Sequence, residues 1–275
     1  MRQHFARAAG SYDSAAVLAR ETGLRMAERL DLVRIAPDRV ADIGCATGDG
    51  LRELQRRFPA ALPLAIDFAR PMLSAVHSRA PLIQRLRGRA PRLINADVRA
   101  LPLAAGSLGL AWSNLMLHWL DDPASAFSEL HRVLEVGGLL MFSMLGPDTL
   151  KELRAACLDA GIAAPLRRFQ DMHDVGDMLL AAGFADPVMD MEMVTLTYKT
   201  ARGLLADQRH LGARDGLFGS LPWRDWRKVL AAYARRRESG RLPASFEVVY
   251  GHAWKPQATV AHDGRAIIRF EKTRS

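Results

Sequence analysis

The chain is poor in cysteine and in aromatic residues, and it has no long apolar run. Its two cysteines, Cys45 and Cys157, stand 112 positions apart, a separation that fits neither a metal-ligand spacing nor a disulfide framework. A reducing, cytoplasmic setting is therefore expected. No stretch approaches the roughly 18 apolar residues of a membrane helix, so no membrane association is expected. The opening "MRQHFARAAGSYD" places Arg2 and Arg7 before no apolar segment and soon reaches Asp13. It reads as neither a secretory signal nor a mitochondrial presequence. Zinc-ligand sets and RNA-recognition aromatic signatures are missing, which speaks against a nucleic-acid partner. Acid is the scarcer charge: 30 Asp and Glu against 38 Lys and Arg leave a net charge of +8. That surplus favours an acidic partner without naming one.

What is present suits an ordinary globular chain, 275 residues with 49% hydrophobic and 25% charged. Residues 14–33 form an amphipathic helical pattern, with Ala16, Ala19, Gly23, Ala27 and Leu30 on one stripe. Strand-like segments follow at 39–44, 62–68, 91–98, 108–114 and 138–145. Helical patterns lie between them: Leu51, Leu54 and Phe58; Met72, Leu73 and Val76; Phe127, Leu130 and Leu134. Such alternation predicts βαβ units and a parallel sheet covered on both faces. Beyond Gly146 the spacing predicts a helix with Pro147 in its first turn, another helix ending at Gly183, and a strand over 187–198. Residues 200–238 read as wholly helical with a break near 219–222, and 245–254 as a further antiparallel or edge strand. Asp263-Gly264 signals a small hairpin in the tail.

The chemistry concentrates in "RVADIGCATGDGLREL", residues 39–54, where a strand runs through Gly44, Gly48 and Gly50 into a helix. A P-loop needs a lysine on its phosphates, and none stands between 39 and 54. The glycine spacing also departs from the G-x-G-x-x-G of dinucleotide sites. Asp42 and Asp49 would be poor company for a pyrophosphate, so a cationic ligand without phosphate fits better.

"DIGCATG" resembles the first motif of the Rossmann-like S-adenosylmethionine-dependent methyltransferases, with Ala46 in place of the middle glycine. The resemblance implies an α/β fold of that class, a mostly parallel seven-stranded sheet with helices on both faces and a helical lid. It also implies a cofactor site made of Asp42, Gly44, Cys45, Ala46, Gly48, Asp67, Phe68, Met72, Asp97, Val98 and Asn114. Asp67, 25 residues after Asp42, matches the acid that accepts the ribose hydroxyls; an ionised carboxylate suits this because it only accepts. Asp97 in "NADV" matches the acid near the adenine, and Asn114 lies where the methionine portion would be. Gly109 stands where that family often has an acid.

Outside this half, "HFARAAGSYDSAA" (4–16), the stretch 117–154, "MHDVGDMLLAAGFADPVMD" and "FEVVYGHAWKP" (246–256) are similar to the malonyl-[acyl-carrier protein] O-methyltransferases of biotin synthesis. Glu135-Val136 replaces that family's usual basic-Pro pair. The implied organisation is a lid segment at 1–36, a donor-binding core at 37–146, a part with inserted lid helices at 147–254 and a tail at 255–275. The implied reaction moves a methyl group to the free carboxylate of a malonyl thioester. A carboxylate is already ionised at neutral pH, so no base is needed. A dry site that holds it close should suffice. Tyr12, His118, Trp119 and Arg154 are the candidates to wall or clamp the acceptor. Arg224, Arg227, Lys228, Arg235, Arg236, Arg237 and Arg241 are expected on one helical segment, with Arg167 and Arg168 nearby. They would form a docking face for an acidic acyl-carrier protein, although coenzyme A thioesters remain open as substrates. A monomer or weak dimer is expected. Other readings stay open: a methyltransferase acting on another small acid or a quinone, a protein arginine hydroxylase of the complex I assembly type, and a donor-binding protein without turnover.

Overall fold

The computed structural model describes residues 2–80 and 90–257; the Asp263-Gly264 hairpin lies outside them. The chain opens with helices α1 (Arg2–Ala8), α2 (Tyr12–Ala15) and α3 (Val17–Leu30). β1 (Arg39–Ile43), α4 (Asp49–Arg57), β2 (Leu62–Asp67), α5 (Arg70–Arg79), β3 (Arg92–Asn95) and β4 (Leu108–Ser113) follow. After a 3-10 turn at Leu117–Trp119 come α6 (Pro123–Val133), β5 (Leu134–Leu145), α7 (Lys151–Asp159), α8 (Met172–Ala181) and β6 (Ala185–Tyr198). The chain then makes α9 (Ala201–His210), α10 (Arg214–Leu217), α11 (Trp223–Ala234) and β7 (Leu242–Trp254).

These strands form one seven-stranded sheet in the order β3-β2-β1-β4-β5-β7-β6. β1 to β5 pair in parallel, and β7 runs antiparallel to both of its neighbours. Buried on both faces, β1, β2 and β4 need the near-continuous runs of Val, Ile, Leu and Ala that the sequence supplies. On one face Met26, Leu30, Trp112, Tyr233 and Phe246 share a core. On the other, Phe127 and Leu130 of α6 and Val175 and Leu179 of α8 cover the sheet. The strand order reverses between β1 and β4, and ligands of open α/β sheets bind at the carboxyl ends of strands at such a switch point.

Several boundaries differ from the sequence reading. The first long helix breaks at Ala16, and its buried face includes Leu18, Thr22 and Met26 beside the expected stripe. Pro147 precedes α7 rather than opening it, because Leu150 takes a left-handed conformation (φ 57°) that forces a turn first. β3 stops at Asn95 and leaves Asp97 in a loop; Leu134, expected on a helix, opens β5. β7 is no edge strand. It lies between β5 and β6 with nearly every residue buried, and β6 is the edge. α11 ends at Ala234, so Arg235, Arg236, Arg237 and Arg241 are not on a helix. Within the inserted segment α9 contacts α2, α10 and α11, Asp215 of α10 lies 3.5 Å from His4 of α1, and α11 packs on α7. Among the described residues, no helix is long and apolar enough to cross a membrane.

Candidate active site

At the switch point the turn after β1 is built by three left-handed residues: Gly44 at φ 73°, Ala46 at 44° and Gly48 at 91°. A Cβ on Gly44 would fall 2.3 Å from Met116 Cγ, so only glycine fits there. The turn keeps its own donors busy. The N–H groups of Gly44 and Cys45 donate to Ile66 O at 2.8 and 3.1 Å, and that of Gly48 donates to Cys45 O at 2.8 Å. The Ala46 N–H donates to Asp67 Oδ2 at 3.0 Å. A phosphate cradle needs backbone N–H groups free to point at the ligand, and these four are already spent.

The cleft above the turn has a volume of 240 Å³. Gly44, Ala46, Asp67, Phe68 and Met72 line one side of it, Asp97 and Val98 the next, and Asn114, Leu115 and Met116 the far end. Asp67 also accepts the Ala69 N–H at 2.7 Å through Oδ1. Burial pushes its pKa up to about 6, against the pull of these two backbone donors. Each of its oxygens keeps a further lone pair for a ligand hydroxyl. Asp97, on the loop, is held below the usual carboxylate range by Arg99, which donates to both carboxylate oxygens at 3.0 and 2.7 Å. Asn114 lines the cleft, but its amide is engaged: Nδ2 donates to Ala19 O at 2.7 Å, and Oδ1 accepts from Ser143 Oγ at 2.8 Å.

The remaining members of the expected cofactor set lie behind the turn and do not line the cleft. Asp42 faces Gly50 at the start of α4, where burial and then the neighbouring Asp67 and Asp49 push its pKa up to about 7. Cys45 packs with Leu51, Leu73 and Val76, and burial keeps its thiol protonated. Gly48 caps α4.

Tyr12 reaches the cleft because its helix is latched to the turn. Thr47 Oγ1 donates to Asp13 Oδ1 at 2.6 Å, and Arg79 pairs with Asp13 while donating to Thr47 O at 3.3 Å. Burial, then Asp67, pushes the Tyr12 hydroxyl above its ordinary range, so it stays neutral.

A smaller cavity of 70 Å³ lies behind the cleft, and both are walled by Phe5, Tyr12, Leu115 and Trp119. His118 lines this second chamber. Its Nδ1 accepts the Leu145 N–H at 3.3 Å, its Nε2 has no partner, and burial followed by Arg167 drops its pKa to about 3. Arg154 lines neither cavity; it lies on α7, which packs against α11 and β7. Arg167 is not on a free surface: it donates to the carbonyls of His118, Trp119 and Leu120 and pairs with Asp121. Arg236 pairs with Asp159, and Arg237 donates to the carbonyls of Gly240 and Lys199. The sequence reading missed Phe5, Arg99 and Gln208. Phe5 lies inside the 4–16 stretch quoted for its resemblance, Gln208 lies on α9 outside any motif, and Arg99 follows an acid already singled out. Among the described residues, no group of three or more His, Cys, Asp or Glu could hold a metal.

Residues 41–142 match the model of a methyltransferase domain. A malonyl-[acyl-carrier protein] O-methyltransferase of Gallionella capsiferriformans is 50% identical over 277 residues, 98% of this chain and 94% of that protein. Another from Laribacter hongkongensis is 48% identical with the same coverage of both chains. Among solved structures, the YcgJ protein of Bacillus subtilis superposes with a TM-score of 0.60 at 13% identity, covering 86% of this chain and 99% of that one. A Haemonchus contortus phosphoethanolamine N-methyltransferase 2, solved with S-adenosyl-L-methionine, gives 0.54 at 15% identity over 90% of this chain and 57% of that one. Sheet order, acid-bearing cleft and spent turn donors together define a class I S-adenosylmethionine-dependent methyltransferase. At the identities found over nearly its full length, the chain belongs to the malonyl-[acyl-carrier protein] O-methyltransferase family.

Proposed function

We propose that this chain methylates the free carboxylate of a malonyl thioester, carried on acyl-carrier protein or coenzyme A, and so makes the methyl ester that primes pimeloyl synthesis for biotin. The observation that carries the reading is a donor cleft at a turn where the N–H groups of Gly44, Cys45, Ala46 and Gly48 are all donated within the protein, next to a chamber whose lining holds no charged side chain. When bound, S-adenosylmethionine supplies a methyl group on a sulfonium cation. Asp67 would hold its ribose hydroxyls, and Val98 and Met72 would flank its adenine. Phe5, Tyr12 and Trp119 would exclude water, which strengthens the attraction between a carboxylate and the cation. No general base is called for. Neutral His118, with its pKa near 3, is unsuited to be one at pH 7.

An acidic carrier would meet the groove lined by Arg202, Trp223, Arg224, Arg227 and Lys228. Arg224 there is 85% exposed. Incubation with methyl-labelled donor and either malonyl thioester tests the proposal. The expected product is a labelled, base-labile methyl ester, and its absence with both thioesters would defeat the reading.

A further inference from the structure

We infer that the chamber behind the donor cleft seats the acyl unit of the acceptor, with the side-chain amide of Gln208 hydrogen-bonded to its thioester carbonyl. This rests on the carboxyl-methylation reading and adds to it a residue and a selection rule. Gln208 sits near the end of α9, is 5% exposed and lines the chamber. Its side chain makes no hydrogen bond among the described residues. The amide atoms are not fully buried, so with no protein partner the amide borders the accessible space of the chamber and keeps its hydrogen-bonding capacity for a ligand there.

The neighbouring groups narrow what that ligand is. Leu18, Leu145, Leu196, Leu217 and Phe246 make the walls apolar, and no Lys, Arg, Asp or Glu lines the chamber. Of its tyrosines, Tyr198 has burial and the nearby Asp207 holding its hydroxyl above the ordinary range. A carboxylate therefore gains nothing by entering and stays at the mouth, by Tyr12 and the donor cleft. The uncharged thioester side of the acyl unit goes in, with the arm bonded to its sulfur running on out of the chamber, and the thioester carbonyl needs a donor. Gln208 Nε2 supplies one, and the proton on His118 Nε2, left there because Nδ1 accepts from Leu145, lies in the same lining. Size agrees. At 70 Å³ the space is about half the ~150 Å³ that takes one benzene, enough for a few heavy atoms. Gln208 is also fixed relative to Tyr12: the Ala213 N–H donates to Gln208 O at 2.9 Å, and Ser11 Oγ donates to His210 O at 3.1 Å.

The test compares malonyl-coenzyme A with its thioether analogue, in which a methylene replaces the carbonyl, on the wild type and Gln208→Met. The wild type should favour the thioester in kcat/KM by roughly 10- to 100-fold, the cost of leaving a buried polar group unpaired. Gln208→Met should retain at most a threefold preference, with unchanged calorimetric affinity for S-adenosylhomocysteine. Should that variant fail to fold, Gln208→Asn, with the amide pulled back, serves instead and should show the same loss. A variant that methylates malonyl-coenzyme A and keeps the wild-type preference overturns the inference alone. Equal loss of S-adenosylhomocysteine affinity would also overturn it, since Gln208 would then be structural. If the wild type esterifies neither malonyl thioester, the inference falls together with the functional reading.

Discussion

The Asp67 carboxylate accepts the Ala46 N–H at 3.0 Å, a bond that fastens the end of β2 to the glycine turn after β1. One side chain thus shapes the turn and faces the cleft. Asp67→Asn must aim its amide NH2 at one of two backbone donors, so both duties suffer. S-adenosylhomocysteine affinity should fall roughly 10- to 100-fold, as expected for losing charge-assisted bonds. Asp97→Asn, whose partner Arg99 is half exposed, should cost about threefold or less. Calorimetry on both variants checks the contrast.

Protonation of Asp67 should make donor binding pH-dependent. With its pKa pushed up to about 6, the carboxylate is ionised at pH 7 and loses its charge as pH falls through 6. Donor Kd should be level above pH 7 and rise toward tenfold per unit below 6. Asp67→Asn should flatten that profile. kcat at saturating substrates should stay level from about pH 6.5 to 9, since the reacting carboxylate needs no deprotonation.

His118 links folding to pH in a definite direction. Its folded pKa of about 3 lies below the ~6.5 of an unfolded histidine. The native state therefore binds fewer protons between those values. Its contribution is full above pH 6.5 and lost as pH falls toward 3, at up to about 1.4 kcal/mol per unit. Denaturant unfolding of wild type and His118→Phe at pH 7.5, 6 and 5 should show the wild type losing its margin over the variant on acidification. Parallel losses would exclude His118 as the source.

The latch of Asp13, Thr47 and Arg79 holds Tyr12 over the cleft. Asp13→Ala leaves the core untouched, because both Asp13 and Arg79 are more than a third exposed. S-adenosylhomocysteine should then dissociate about three- to tenfold faster, with a stability loss near 1 kcal/mol or less. Stopped-flow release and thermal melts separate the two effects.

Carrier docking predicts a substrate-dependent penalty. Reversing Arg224, Arg227 and Lys228 to Glu should raise KM for malonyl-acyl-carrier protein about tenfold or more. KM for malonyl-coenzyme A should change by less than threefold, and the carrier effect should shrink at high salt. Equal shifts for both substrates would remove the groove as a docking face.

The donor half was legible in the sequence because its determinants are local. Gly44, Gly48 and the buried strands announce a strand-turn-helix, and acids at strand ends announce what the turn can tolerate. The sequence left β7 as an antiparallel or an edge strand; it is antiparallel to both neighbours but central, because its pairing with β5 joins residues more than a hundred positions apart and apolar pattern alone does not rank neighbours. Arg235, Arg236 and Arg237 looked helical from their composition; Ser239-Gly240, both at positive φ, belong to the turn that ends that pattern. Gln208 gave no signal. It lies on an unremarkable amphipathic helix, and its meaning arises only when α9 meets α1 and α2.

Phe5, Tyr12, Leu115 and Trp119 belong to the walls of both cavities. Two of the four, Phe5 and Tyr12, come from α1 and α2. A substitution at Phe5 or Tyr12 therefore alters the walls of both cavities at once.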